Sequence, residues 1–153
     1  MPNTPALLGA GMAAVAPGKR SKPAQVKLVL GLFAAVGKAV QVTEGEMDLV
    51  TAVSGSGPAY LFHMVEAMVE GAVKGGMAPE IAFELVSQTV YGAARMVLES
   101  GKSPAELRVQ VTSPGGTTQA ALTVMAEKGF KETVQAAIEA ATQRSAELRR
   151  MNG

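Results

Sequence analysis

The sequence predicts a mostly α-helical protein in which a short α/β segment, residues 1–45, leads into a helical region, residues 46–153. Three observations carry that expectation. From Asp48 onward apolar side chains recur at helical spacing, with proline and glycine where helices start and stop. The two candidate strands, Gly11 to Ala16 and Lys38 to Thr43, both come earlier. Finally, 48% of the residues are apolar but only 4% aromatic, so small residues supply much of the packing.

In chain order, Met1-Pro2-Asn3-Thr4-Pro5 reads as a stiff loop, because both prolines fix φ and restrain the residue before them. The first strand is followed by the turn Pro17-Gly18-Lys19-Arg20. A helix then runs from Pro23 to about Val36, with Val26, Val29, Leu30 and Phe33 on one face and Gly37 as its C-cap. The second strand aligns Val40 with Val42. Two strands and one helix make a poor domain and look like the end of an α/β unit whose earlier strands are missing. Their unpaired edges would be a liability.

The helical region opens with a helix from about Pro58 to Gly75. His63, Glu66, Glu70 and Lys74 form its narrow polar stripe, and nearly everything else is apolar or small. A helix of that kind is buried on most sides, and in so short a chain the cover could be a second copy. Pro79 opens the next helix, which ends at Ser100-Gly101. Ser103-Pro104-Ala105-Glu106 is a capping box that starts a short helix towards Gln110. Two more helices follow, Thr118 to Lys128 and Lys131 to about Arg149, the last burying Val134, Ala137, Ile138, Ala141 and Leu148. A compact chain of 153 residues would bury about 68% of its unfolded surface.

Composition excludes several function classes. With 14 basic and 13 acidic side chains, the net charge of +1 gives no electrostatic reason for a nucleic acid partner. The absence of cysteine rules out disulfides, zinc thiolates and cysteine nucleophiles. One histidine rules out histidine-rich metal sites and leaves no Ser-His-Asp set. The longest apolar stretch, Leu28 to Gly37, is too short to cross a bilayer. With no basic residue before Lys19, the N-terminus does not resemble a secretory signal. The expectation is a cytoplasmic protein with neither nucleic acid nor membrane as partner.

Gly9-Ala10-Gly11-Met12-Ala13-Ala14 fits a dinucleotide fingerprint on paper, but the strand before it and the acidic residue about 20 positions later are absent. Ser54-Gly55-Ser56-Gly57-Pro58 reads either as a tight junction before a capped helix or as a loop touching a small anion or cofactor edge. It is no nucleophile elbow, since Ser54 stands where glycine is needed. Ser113 to Thr118 places two glycines and two threonines at a helix start, where free N–H groups and the dipole suit a carboxylate or phosphate. An elaborate cap is the other reading of these residues. His63 reads as a surface histidine, the Met64, Met68 and Met77 stripe as core filling, and Arg144, Arg149 and Arg150 as solubility and capping residues.

Residues 48–148 resemble the C-terminal dimerisation domain of pyrroline-5-carboxylate reductases. The resemblance rests on Thr51 to Tyr60, on Gln88-Thr89-Val90 and Gly92-Ala93-Ala94, on Ser103 to Arg108, and above all on Gln110 to Thr118. Met1 to Ala6 is similar to the loop that ends the family's nucleotide-binding domain. It implies a helical dimerisation and substrate-loop domain at 46–153, preceded at 1–45 by the remnant of a Rossmann-type NAD(P)-binding domain whose N-terminal half is missing. It also implies reduction of 1-pyrroline-5-carboxylate to L-proline with NADPH or NADH. Ser113, Gly115, Gly116 and Thr117 would hold the substrate carboxylate. Thr118 would be the catalytic residue beside the ring nitrogen, and Asn3, Thr4 and Pro5 would line the nicotinamide, with the 54–58 loop closing the cleft. A homodimer, or a ring of such dimers, is the implied assembly. The alternative is a non-catalytic helical dimerisation module or truncated gene product.

Overall fold

The computed structural model describes residues 1–152, and the chain divides into two compact units, Met1–Leu61 with the chain from Thr133 onward, and Phe62–Glu132. The fold is mostly helical, with one small sheet.

The first unit opens with a β-α-β element. Strands β1 (Gly11–Val15) and β2 (Gly37–Gln41) are parallel, in register from Gly11 opposite Gly37 to Val15 opposite Gln41. Parallel neighbours need a crossover, and α1 (Pro23–Ala34) supplies it, with Pro23 in its first turn and the Gln25 side chain accepting from the Lys22 amide at 2.8 Å. Ala13 and Ala14 of β1 and Val26 of α1 are buried. Glycine is required where the strands start: Gly37 has φ +150°, and a β-carbon there would strike the Gly11 backbone.

The N-terminal residues are not a loop. Met1 and Ala14 exchange backbone hydrogen bonds at 2.8 and 3.0 Å, Pro2 bridges Ala13 antiparallel, and Thr4–Leu8 forms a 3-10 turn. The edge of β1 that the sequence leaves open is therefore covered, because Met1–Asn3 lies along it.

A second departure concerns residues 44–58. A 3-10 turn (Glu44–Glu46), α2 (Met47–Val50), a π-helical turn (Thr51–Gly55) and α3 (Gly57–Lys74) follow one another with a single bend at Ser56. The expected glycine loop is thus helical backbone. Pro58 has no N–H to give a ladder, and just before it the turn widens, so that the Ser56 amide reaches back five residues to the Thr51 carbonyl at 2.8 Å. This unit is completed by most of α7 (Phe130–Asn152). Ile138 and Ala141 are half-buried, but Val134, Ala137 and Leu148, expected inside, are exposed.

In the second unit, α4 (Pro79–Glu99) meets α5 (Pro104–Gln110), and α6 (Thr117–Glu127) follows. Ser103 caps α5: the Glu106 amide donates to its Oγ at 3.3 Å, and its own amide donates to Glu106 Oε2 at 2.8 Å. Ala82, Val86 and Leu107 are buried. His63 lies on the exposed side of α3, 3.2 Å from Glu66. Met68 and Met77 are exposed rather than core-filling.

No large side chain among the described residues is fully buried. Phe62 and Phe83 are each 61% exposed, and the chain presents 11255 Å² to solvent. A compact chain of 15.7 kDa would present about 7,300 Å². The protein therefore buries about half of its unfolded surface, not the two-thirds its length predicts. The cause is visible in α3 and α4, whose apolar residues exceed what the chain itself covers.

Candidate functional site

Two groups of residues have the chemistry of a site, one in each unit. In the second unit, α5 ends at Gln110, and the Thr112 hydroxyl donates back to the Arg108 carbonyl at 2.6 Å. The chain then reverses through Ser113-Pro114-Gly115-Gly116, closed by the Gly116 amide on the Ser113 carbonyl at 3.0 Å. Proline in the second position and glycine at φ +72° in the third are what a type II turn demands. A β-carbon on Gly116 would collide with Ser113 Oγ as it stands, so a larger residue there would have to turn the serine hydroxyl away.

This turn delivers Gly116 as the N-cap of α6, and the Gly116 carbonyl accepts from Ala120 at 3.1 Å. Thr117, Thr118 and Gln119 are the first three helical residues, whose amides have no acceptor earlier in the helix. No acidic residue lies in that first turn, so nothing there repels an anion. Ser113, Gly115 and Thr117 are exposed, while Gly116 and Thr118 are half-buried. The expected carboxylate residues and Thr118 therefore belong to one turn and one helix start.

Gln119, which sequence reasoning overlooked, adds a feature. Its Oε1 accepts from the Gly115 amide at 2.6 Å, in the manner a ligand oxygen would. A carboxylate can use that amide only by displacing the side chain. The residues' order holds a faint signal, since a glutamine four positions beyond a glycine at a helix start can fold back.

In the first unit, Asn3 is half-buried and spans two elements. Its Oδ1 accepts from the Met12 amide of β1 at 2.8 Å, and its Nδ2 donates to the Ser54 carbonyl in the π-helical turn at 3.1 Å. Thr4 and Pro5 are the first residues of the adjoining 3-10 turn, Thr4 exposed and Pro5 half-buried. Asn3 is thus set beside Ser54, and Thr4 and Pro5 follow it in the chain.

Ser54 brings the polar requirement of this patch. Its Oγ exposes less than 1 Å² and has no hydrogen-bond partner, the one such buried side-chain atom among the described residues. Leaving a buried hydroxyl unpaired costs about 1–3 kcal/mol. The patch therefore has room in its hydrogen bonding for one polar group from outside the chain, and a nicotinamide carboxamide, which both donates and accepts, is of that type.

Among the described residues there is no cluster of three or more acidic or imidazole side chains able to hold a metal ion. No helix among them is long and apolar enough to cross a membrane.

Comparison with known proteins gives a consistent picture. Residues 44–148 match the family model for pyrroline-5-carboxylate reductase dimerisation. The chain is 47% identical over 148 residues to the pyrroline-5-carboxylate reductase of Synechocystis sp., covering 97% of this chain and 55% of that protein. It is 44% identical over 148 residues to the enzyme of that name from Escherichia coli, with the same coverage. Among solved structures, it superposes on a pyrroline-5-carboxylate reductase from Coxiella burnetii with TM-score 0.93 and 41% identity, over 97% of this chain and 55% of that one. On the Plasmodium falciparum pyrroline carboxylate reductase with NADP bound the TM-score is 0.89 at 36% identity, over 95% and 59%. The chain spans about half the length of the curated relatives it matches.

Proposed function

The chain belongs to the pyrroline-5-carboxylate reductase family, and on that premise we propose that it serves the reduction of 1-pyrroline-5-carboxylate to L-proline by NADPH or NADH. Residues 46–153 act as the helical dimerisation and substrate-loop domain. Residues 1–45 act as the closing part of the NAD(P)-binding domain. The observation that carries this reading is the Ser113–Gly116 turn, which leads into the start of α6, where the amides of Thr117 and Thr118 have no acceptor earlier in the helix, two threonine hydroxyls stand, and the first turn holds no acidic residue.

Ser113, Gly115, Gly116 and Thr117 receive the substrate carboxylate there. Fixing that group places the ring, and Thr118, half-buried one residue further on, directs its hydroxyl to the ring nitrogen. When bound, the reduced nicotinamide supplies the hydride that C5 of the imine accepts. With the imine nitrogen already protonated from solvent, the C=N π pair becomes the nitrogen lone pair and the neutral amine results with no further proton. A protonated imine is already an activated acceptor, so the residues contribute orientation and exclusion of water rather than a strong acid. Asn3, Thr4 and Pro5 border the nicotinamide side.

We assign the chain to a homodimer, or a ring of such dimers, in the cytoplasm, and the area left exposed supports the association alone. The excess over a compact chain, about 4,000 Å², is several times the roughly 800 Å² that each partner gives to a standard interface. The same observation favours a second reading, a helical module whose whole activity is association. Fusion of this chain behind the remaining N-terminal length of the Synechocystis relative separates the two. Oxidation of NADPH or NADH dependent on pyrroline-5-carboxylate is expected from the reductase reading. A folded, dimeric fusion without turnover leaves only association.

A further inference from the structure

We propose that Ser54 is a cofactor-positioning residue: its hydroxyl hydrogen-bonds the carboxamide of the nicotinamide, while Asn3 serves to hold Ser54 in place. The inference rests on the reading that residues 3–5 border the nicotinamide, and it redistributes the roles among them.

Asn3 is the residue that a sequence reading puts against the cofactor, but its carboxamide is engaged at both ends, by the Met12 amide and the Ser54 carbonyl. It bolts the π-helical turn to β1. The residue it secures carries the unpaired hydroxyl. Several helical threonine hydroxyls satisfy themselves on the carbonyl four residues back: Thr51 on Met47 at 2.8 Å, Thr89 on Leu85 at 2.7 Å, Thr142 on Ile138 at 2.8 Å. Ser54 does not, although it lies in the same helical run as Thr51. An unbonded hydroxyl has no hydrogen bond to break, so it turns about Cα–Cβ towards an arriving group at the cost of a rotamer change alone. The residue as a whole is half-buried, although its Oγ is enclosed as it stands. Widened π-helical turns of this kind are frequent at functional sites.

The test is titration of the fusion carrying the remaining N-terminal length of the Synechocystis relative, and of its Ser54→Ala variant, with NADPH, read by cofactor fluorescence, with thermal melting in parallel. A ligand-facing hydroxyl predicts binding weakened about 3- to 10-fold in the variant, with a melting temperature unchanged or raised because a buried unpaired group has gone. Equal binding by the two proteins overturns the inference and leaves the border role of residues 3–5 standing. Weaker binding with a melting temperature lowered by several degrees overturns it too, since the hydroxyl then has a structural partner such as a buried water. No binding by the unaltered fusion removes both the inference and the reading beneath it.

Discussion

Arg149 Nη2 lies 2.9 Å from Asp48 Oδ2, and Ser145 Oγ donates to the other oxygen of the same carboxylate at 2.9 Å. The two partners sit one helical turn apart on α7, and they grip the first residues of α2 from about 100 positions away in the chain. The Asp48 side chain is 18% exposed, against 64% for Arg149, so the carboxylate is the sheltered member. This contact explains why the end of α7 belongs to the unit that begins at Met1.

The clasp has a pH signature. Hydrogen bonds from Arg149 and then Ser145 hold the Asp48 carboxyl below the usual aspartate range. A carboxyl whose folded value is depressed adds stability above its unfolded value, near 3.9, and loses it as pH falls through the lower, folded one. Melting temperature is therefore expected to drop between about pH 4 and more acidic conditions, with a shallower drop in Asp48→Asn. Identical profiles in thermal scans would show that the clasp adds nothing.

Association is the second expectation. With Phe62 and Phe83 each 61% exposed, the chain at micromolar concentration should sediment at twice its 15.7 kDa mass or more. Leu61→Glu or Phe62→Glu should shift it towards monomer and lower its helicity. A monomeric boundary with full helicity from the unaltered chain would count against an obligate dimer.

What the sequence made legible followed the local rules. Pro23, Pro79 and Pro104 open helices where expected, and the Ser103–Glu106 box caps α5. The helix start after Gly115-Gly116 was readable from the glycines and threonines, whereas the type II turn that Pro114-Gly115 dictates was not read. The π-helical turn was not, because Ser54-Gly55-Ser56-Gly57 carries loop-like composition while the helical run around it overrides propensity. Nor was the Asp48–Arg149 contact, since no spacing rule links residues so far apart. Burial at Val134 and Leu148 was misread for another reason. Periodicity reports which face is apolar, not whether the same chain covers it.

Gln119 offers a third test, because it occupies the Gly115 amide that a carboxylate would take. Gln119→Leu should free that donor and tighten binding of L-proline about 2- to 10-fold, the worth of one net hydrogen bond. Isothermal titration would measure it, and a weaker L-proline complex would mean that the glutamine holds the turn for the ligand rather than against it.

Gly116→Ala should act in the opposite direction. Its β-carbon would meet Ser113 Oγ, which must rotate out of place, and lie 3.1 Å from the Ser113 carbonyl oxygen, which must shift slightly, so the serine hydroxyl is displaced from the turn. L-Proline binding should weaken about tenfold or more while helicity and oligomeric state stay the same. Retained affinity would place the carboxylate away from this turn.

Thr118 gives the most direct test of chemistry. It is half-buried in the first turn of α6, and its hydroxyl is the group assigned to the ring nitrogen. In the fusion carrying the remaining reductase length, Thr118→Ala should lower kcat by about 10²-fold, as loss of one oriented hydrogen-bonding group in an active site does. KM should change less, because the carboxylate contacts remain. Thr118→Ser keeps the hydroxyl and loses only the methyl group, so it should recover most of the rate. If both variants fall equally, packing of the methyl group and not the hydroxyl is what the site uses. If neither falls, Thr118 has no part in the reaction.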